Sequence, residues 1–515
     1  MGLPGGRCVT GGNKEKLVKG VAWIGTAKVL VNSLGLISTV ILSRLLMPED
    51  FGLIAIATAV IGIVGVISEF SLYKALVQRD DPEPAHFHTA WTMNLIRGAI
   101  VAGVIALMAL PIADFYGDGR LSGILMLMAV TTLVGSFVNP KLAVFERELQ
   151  FRQSFILSLT GKIVGFIATV GVAYFYRSYW ALVVGPLVTE FALVLVSYLL
   201  FPYLPRPTLS KYRDLLSYSI WLTFGKWVQA LNWRSDPLVL GYFFTSQLLG
   251  QYAMGSRITS KTIGEITTPV KQILFPAFAR IKNDALRLRS GYLRSQGVLC
   301  MLCFPVGAGF AATAPELVVA ALGEKWALAI PVVQVIAMIR MLQMSENLNS
   351  LAMATGHTKQ MFGRDLRAFV IRWPLVLLGV YLGLGDAYGM LLGAVLGRAA
   401  SVAVNTWLNM DLIRRITTIT ILDHLLAVWR PALAATLMAA AVVATRPLLP
   451  FGTDFDGLIL RLAVMVPVGA LVYFAASIFI WIATGRREGV ETETVKIVMG
   501  LFRKLIGKSI GRRAV

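Results

Sequence analysis

The chain has 515 residues, 56% hydrophobic and only 15% charged, with a mean hydropathy of +0.70; this balance excludes a water-soluble globular protein and requires a polytopic membrane protein. A net charge of +20 could suit nucleic acid, but the basic residues sit in the tails and in short connections between apolar stretches, as in cytoplasmic loops, so no nucleic-acid partner is expected. Cys8, Cys300 and Cys303 supply no disulfide framework, and the Cys300–Cys303 pair lies in an apolar helical stretch, where packing is the ordinary role.

An amino-terminal cytoplasmic tail, 1–19, carries Lys14, Lys16 and Lys19 ahead of an apolar stretch too long for a signal-peptide core, which reads as a retained first span. Apolar runs then predict an all-α protein with about fourteen transmembrane helices, at roughly 20–46, 51–75, 88–113, 121–143, 153–176, 179–201, 215–237, 245–277, 291–319, 327–355, 364–384, 387–410, 425–447 and 457–484. The expected organisation is a six-span amino-terminal lobe (20–201), a proline-bearing cytoplasmic linker (202–214), a six-span carboxy-terminal lobe (215–410), two further helices (411–484) and a basic cytoplasmic tail (485–515). Within that tail, Val495–Ile510 alternates apolar residues with Lys496, Arg503, Lys504 and Lys508, a pattern that fits either the anionic inner leaflet or a solvated tail. With the amino terminus inside, inner segments hold 31 Lys and Arg and outer segments hold 6, namely Arg120, Arg177, Arg234, Lys325, Arg446 and Arg461. That bias places both termini in the cytoplasm of a multi-pass inner-membrane protein.

The halves show a trace of duplication. At an offset of 198 residues Trp23 aligns with Trp221, Lys28 with Lys226, Gly52 with Gly250 and Ala55 with Ala253. Overall agreement is near background, so the weight falls on Trp-x4-Lys recurring at the start of each half.

Lys28, Arg97, Lys162, Lys226, Arg257, Arg340 and Arg398 each fall about nine to thirteen residues into a span, close to the bilayer midplane at ~1.5 Å per residue. Glu190 is the carboxylate expected at the same depth. An isolated charge there costs ~2.5–3.5 kcal/mol or more, so such residues are expected to face a wet interior, and a cationic interior suits anionic cargo. Helical spacing puts Lys28 and Asn32 on one face with Gly25, Gly35 and Thr39, Asn94 with Arg97, Lys226 with Gln229, Asn232 and Asp236, and Arg257 with Lys261, Glu265, Thr268 and Gln272. Lys28, Asn32, Arg97, Lys226, Gln229, Asn232 and Arg257 are the candidate substrate-binding residues; Glu190, Asp236 and Glu265 are candidates for ion coupling. The competing reading is structural, with small and amide residues packing helices and Arg257, Lys261 and Glu265 forming an internal ion-pair ladder. Four histidines lack metal-ligand partners, and no nucleotide-binding loop occurs, so no cofactor is expected.

The strongest local motif is Arg44-Leu-Leu-Met-Pro48-Glu49-Asp50-Phe-Gly52. It predicts a tight outer turn in which proline separates two helices, the acids suit the second helix's amino terminus and glycine permits close packing. Together with Glu69-Phe-Ser-Leu-Tyr-Lys-Ala-Leu-Val-Gln-Arg79, this segment resembles the polysaccharide transporter family of the multidrug/oligosaccharidyl-lipid/polysaccharide flippase superfamily; Ser71 stands where that family usually has glycine. The resemblance implies two six-helix lobes in a V with two extra carboxy-terminal helices. It also implies a flippase, not an enzyme, moving undecaprenyl-pyrophosphate-linked saccharides across the bacterial inner membrane for exopolysaccharide, capsule or O-antigen assembly. A polysaccharide polymerase and a chain-length regulator would be its partners. Two other readings stay open: an ion-coupled small-molecule exporter of the same superfamily, and a membrane polysaccharide polymerase or ligase. Acids would be expected in the lumen of an exporter of cations, and a long outer loop in the enzyme.

Overall fold

The computed structural model describes residues 11–68, 76, 82–147, 151–212, 220–345 and 347–485, and these are helices joined by short turns. In chain order the helices are α1 (Gly11–Leu45), α2 (Pro48–Ile67), α3 (Pro84–Tyr116), α4 (Arg120–Gly135), α5 (Leu142–Arg147), α6 (Phe151–Tyr176), α7 (Trp180–Leu200), α8 (Ile220–Arg234) and α9 (Asp236–Phe243). They continue with α10 (Ser246–Ile281), α11 (Ala285–Leu322), α12 (Ala329–Ser345), α13 (Leu348–Ala354), α14 (Thr358–Leu382), α15 (Ala387–Thr417), α16 (Ile421–Thr445) and α17 (Phe455–Ala483). Among the described residues ten helical segments are long and apolar enough to cross a membrane, and Arg120–Gly135 is a shorter apolar helix. The long helices α10 and α14 are more polar, carrying charged residues of both signs together with Thr and Gln. The Glu69–Arg79 motif and the basic tail beyond Gly485 lie outside the described residues.

By packing, the chain divides into two compact units, Met1–Gly250 and Gln251–Val515. In the first, α1 lies along α6, α6 pairs with α7, α4 packs on α3 and α7, and α2 packs on α4, α8 and α9. The α6–α7 pair is close because glycine meets threonine twice: a Cβ on Gly165 would overlap Thr189, and one on Gly185 would overlap Thr169. Each threonine hydroxyl is satisfied by its own helix, Thr169 donating to the Gly165 carbonyl at 2.6 Å and Thr189 to the Gly185 carbonyl at 2.8 Å.

The connection after α7 is stitched onto the start of α3. The Arg206 N–H donates to His88 Nδ1 at 2.8 Å, the Thr208 N–H donates to Thr92 Oγ1 at 3.0 Å, and the Lys211 ammonium meets Glu83 at 3.3 Å. The Lys141 ammonium lies over the rings of Tyr203, Phe201 and Phe87 at 4.7, 5.3 and 5.4 Å.

In the second unit α14 pairs with α15, and α11 forms a spine for α12, α16 and α17. One cluster joins Cys300, Cys303, Phe304 and Ala308 of α11 to Ala434, Ala435 and Met438 of α16 and Tyr473 and Ile480 of α17. Both cysteines there are fully buried packing residues. At one end of this spine Arg446 Nε meets Glu316 at 2.6 Å, and its Nη2 donates to the Ala312 carbonyl at 2.8 Å.

Candidate functional site

The outer-turn motif is built as its residues require. Pro48 opens α2, where a missing N–H costs nothing. The Asp50 carboxylate accepts from the Met47 N–H at 2.9 Å, and Glu49 pairs with Arg120 at 3.6 Å. Arg120 also grips Asp118 through Nε at 3.0 Å and Nη2 at 2.8 Å, and this guanidinium holds the Asp118 carboxyl below the usual carboxylate range. Arg44, at the end of α1, is exposed.

Gly52 sits where α2 crosses the start of α10. A Cβ on Gly52 would collide with the Ser246 carbonyl oxygen, and a Cβ on Gly250 would collide with the Pro48 carbonyl oxygen. Only hydrogens fit, so each glycine Cα–H points at a carbonyl of the other helix. Contacts of this kind contribute about 0.5–1 kcal/mol each.

The seventh expected span, 215–237, is broken, and among the described residues it runs on to Phe243. Pro237 lacks an N–H, so α8 stops at Arg234 and α9 restarts at Asp236. The Ser235 carbonyl accepts from the N–H groups of Leu238 and Val239 at 3.0 Å. Tyr116 Oη donates to the Leu238 carbonyl at 2.7 Å and pins α9 to α3. Because α9 runs on to Phe243, Arg234 belongs to no outer connection: it lies nine residues, about 14 Å, inside the end of the segment. Its guanidinium rests on α2 at Gly62, where a Cβ would overlap Nη1 and stand 2.7 Å from Cδ and 2.8 Å from Cζ. The sequence reading put Arg234 in an outer connection, and the structure puts it at the end of α8, ahead of the continuing α9.

The other expected residues fall on several helices. Lys28 is exposed on α1, and Asn32 is half-buried one turn on. Arg97 is half-buried on α3, whereas Asn94, on the same face, donates from Nδ2 to the Ser136 carbonyl at 2.8 Å and so ties α3 to the end of α4. Gln229 is exposed and Asn232 half-buried on α8, with Asp236 buried just past the break; the Lys226 side chain lies outside the described residues. Lys162 and Glu190 are half-buried, and the Glu190 carboxylate lies over Gly135, 2.9 Å from where a Cβ would be.

In the second unit Arg257 is exposed on α10, and Lys261, Glu265 and Thr268 are half-buried below it. Two cations once expected at the same depth have a different job. Arg340 is 8% exposed and donates from Nε to Ser260 Oγ at 2.9 Å; Arg398 is 6% exposed and donates from Nη1 to the Tyr252 hydroxyl. Both brace α10, from α12 and α15 respectively.

In each unit the exposed and half-buried side chains of this set include cations, groups able to hydrogen-bond an anionic solute. Among the described residues no group of three His, Cys, Asp or Glu is placed to hold a metal ion. His88 and His424 serve as local hydrogen-bond partners, His424 Nδ1 lying 2.8 Å from Gln296 Oε1.

The family profile described as "Polysaccharide biosynthesis protein" matches residues 41–331. The chain is similar to the lipopolysaccharide biosynthesis protein WzxC of Escherichia coli strain K12, 24% identical over 81% of this chain and 85% of that protein. It is also similar to the succinoglycan biosynthesis transport protein ExoT of Rhizobium meliloti strain 1021, 23% identical over 90% of this chain and 92% of that protein. In fold it resembles the lipid II flippase MurJ in its inward closed conformation, with a TM-score of 0.71, 11% identity, and coverage of 90% of this chain and 99% of that one.

Proposed function

Since the chain belongs to the polysaccharide biosynthesis protein family, we propose that it is a flippase that carries polyprenyl-diphosphate-linked saccharides across the membrane in which its helices are embedded. It works as a carrier by alternating access and catalyses no covalent step. Relatives named for lipopolysaccharide and succinoglycan biosynthesis support the substrate class, and the fold likeness to a lipid II flippase agrees with it.

What supports the reading is the set of cations that their positions in the sequence put near mid-span. A diphosphate cannot cross bare hydrocarbon, and its charge must be met by fixed donors along the way. Lys28, Arg97, Lys226 and Arg257 offset the diphosphate charge, while Asn32, Gln229 and Asn232 hydrogen-bond sugar hydroxyls. The six-plus-six division, with the 202–214 linker between lobes and α16 and α17 as additions, is the framework of this carrier. The cation bias, 31 inside against five outside with Arg234 left out, supports cytoplasmic termini in an inner membrane. An inside-negative potential favours outward passage of the anion by ~2.3 kcal/mol per charge per 100 mV, and Glu190, Asp236 and Glu265 are where ion coupling would act. A polymerase and a chain-length regulator would receive the exported unit.

The test is reconstitution in liposomes with a fluorescent polyprenyl-diphosphate saccharide, followed by quenching from outside. Protein-dependent movement between leaflets is expected. Absence of movement with correctly inserted protein would refute the reading.

A further inference from the structure

We propose that Arg234 is a cargo-contacting cation that binds the diphosphate, held in position by Gly62. This rests on the flippase reading and adds a binding residue to it. Three observations carry it.

The first is depth. Arg234 lies nine residues inside the end of α9, and its guanidinium reaches Gly62, fourteen residues along α2 from Pro48. At ~1.5 Å per residue both measures put the charge well within the hydrocarbon layer. The second is its surroundings. The side chain is exposed, and among the described residues no hydrogen bond or ion pair engages it. A charge at such depth is tolerated where it meets water or a counter-ion, which makes it a binding group by default. The third is the local build. The helix is broken at the single residue Ser235, directly after Arg234 and just ahead of Pro237, which marks this as a bend beside the charge. Gly62 then supplies a flat place on α2 for the guanidinium to lie across, because a methyl there would occupy the position of Nη1. A planar fork fixed at one orientation suits the paired oxygens of a diphosphate better than a mobile ammonium.

Reconstituted protein is tested in two measurements: movement of the fluorescent polyprenyl-diphosphate saccharide, and its competition by inorganic pyrophosphate. Arg234→Ala should weaken pyrophosphate competition about tenfold or more, the loss of one charge-assisted contact, and slow movement correspondingly. Arg234→Lys should recover part of both. Gly62→Ala should resemble Arg234→Ala although the charge is retained, because it displaces the guanidinium. Membrane abundance and monodispersity in detergent confirm folding of each variant, and Arg234→Lys preserves the charge should the alanine variant fail to accumulate. Wild-type competition and movement in Arg234→Ala, or in both Arg234→Lys and Gly62→Ala should the alanine variant fail to accumulate, would overturn the assignment. Failure of the wild-type protein itself to move the lipid would instead count against the flippase reading.

Discussion

Gly52 and Gly250 lie 198 residues apart in sequence and against each other's helices in space, each blocked by a carbonyl of the other's first turn, Ser246 for Gly52 and Pro48 for Gly250. The blocking residues are themselves 198 apart. So are the ends of α1 and α9 at Leu45 and Phe243, and the starts of α2 and α10 at Pro48 and Ser246. The contact is therefore reciprocal: the same turn from each half of the chain meets its own counterpart. The two Cβ positions stand 3.1 Å from Gly250 N and 3.2 Å from Gly52 N, so the relation is close to a local two-fold.

A methyl at either glycine must push the helices apart. Gly52→Ala and Gly250→Ala should each destabilise the protein by about 1–3 kcal/mol, the usual cost of overpacking, and together by less than the sum because they share one contact. Gly65→Ala is the control: a Cβ there meets nothing within 4 Å, and alanine favours helix by up to ~1 kcal/mol. Thermal unfolding in detergent should show lowered midpoints for the first two and none for the third. Equal midpoints for all three would mean the crossing is not tight.

This turn was legible in sequence because its chemistry is local: proline at a helix start, an acid that bonds back to the chain, a glycine one turn later. The 198-residue offset was legible only at Trp23, Lys28, Gly52, Ala55 and their counterparts, and agreement elsewhere is near background. The break after Arg234 was not legible. The polar periodicity of Gln229, Asn232 and Asp236 runs through it, and Pro237 suits a helix's first turn as well as an ending. Depth likewise does not reveal a partner, and nothing in the sequence marks Arg340 and Arg398 as donors to Ser260 and Tyr252.

Those braces predict a separation of stability from binding. Arg398→Ala should cost about 1–3 kcal/mol, because the Tyr252 hydroxyl loses a buried donor, while the removal of hydroxyl and guanidinium together, in Tyr252→Phe with Arg398→Met, should cost less than Arg398→Ala alone. Pyrophosphate competition should stay near wild type in each variant that folds. An Arg398 variant with normal stability and weakened competition would return this residue to the cargo path.

Acid should loosen the α3–α4 turn. Arg120 holds the Asp118 carboxyl below its ordinary value, mainly through the side-chain hydrogen bond. A carboxyl with a depressed folded-state value contributes stability above its unfolded value of about 3.9 and loses it as pH falls through the lower folded one. Unfolding midpoints of the wild type should therefore drop below about pH 4 more steeply than those of Asp118→Asn. The variant should be less stable above pH 5, and the two curves should converge in acid. Parallel curves would show that the Asp118–Arg120 pair does not contribute.

The pair between Arg446 and Glu316 ties the end of α16 to α11, with Glu316 3% exposed and the Arg446 side chain 33% exposed. Breaking a fully buried pair costs about 3–5 kcal/mol, and partial solvation of the arginine reduces that to roughly 2–3 kcal/mol. Glu316→Ala leaves a guanidinium still donating to the Ala312 carbonyl, whereas Arg446→Ala leaves a buried carboxylate with its partner removed. Arg446→Ala should therefore be the more damaging change, and Glu316→Gln, which keeps an acceptor oxygen, the mildest. Limited proteolysis should detect the loss first at the α16–α17 connection, since α16 and α17 are held to α11 by the Cys300–Tyr473 cluster and by this pair. If Glu316→Ala proves worse than Arg446→Ala, the ranking by burial fails and the carboxylate must have a role beyond this bond.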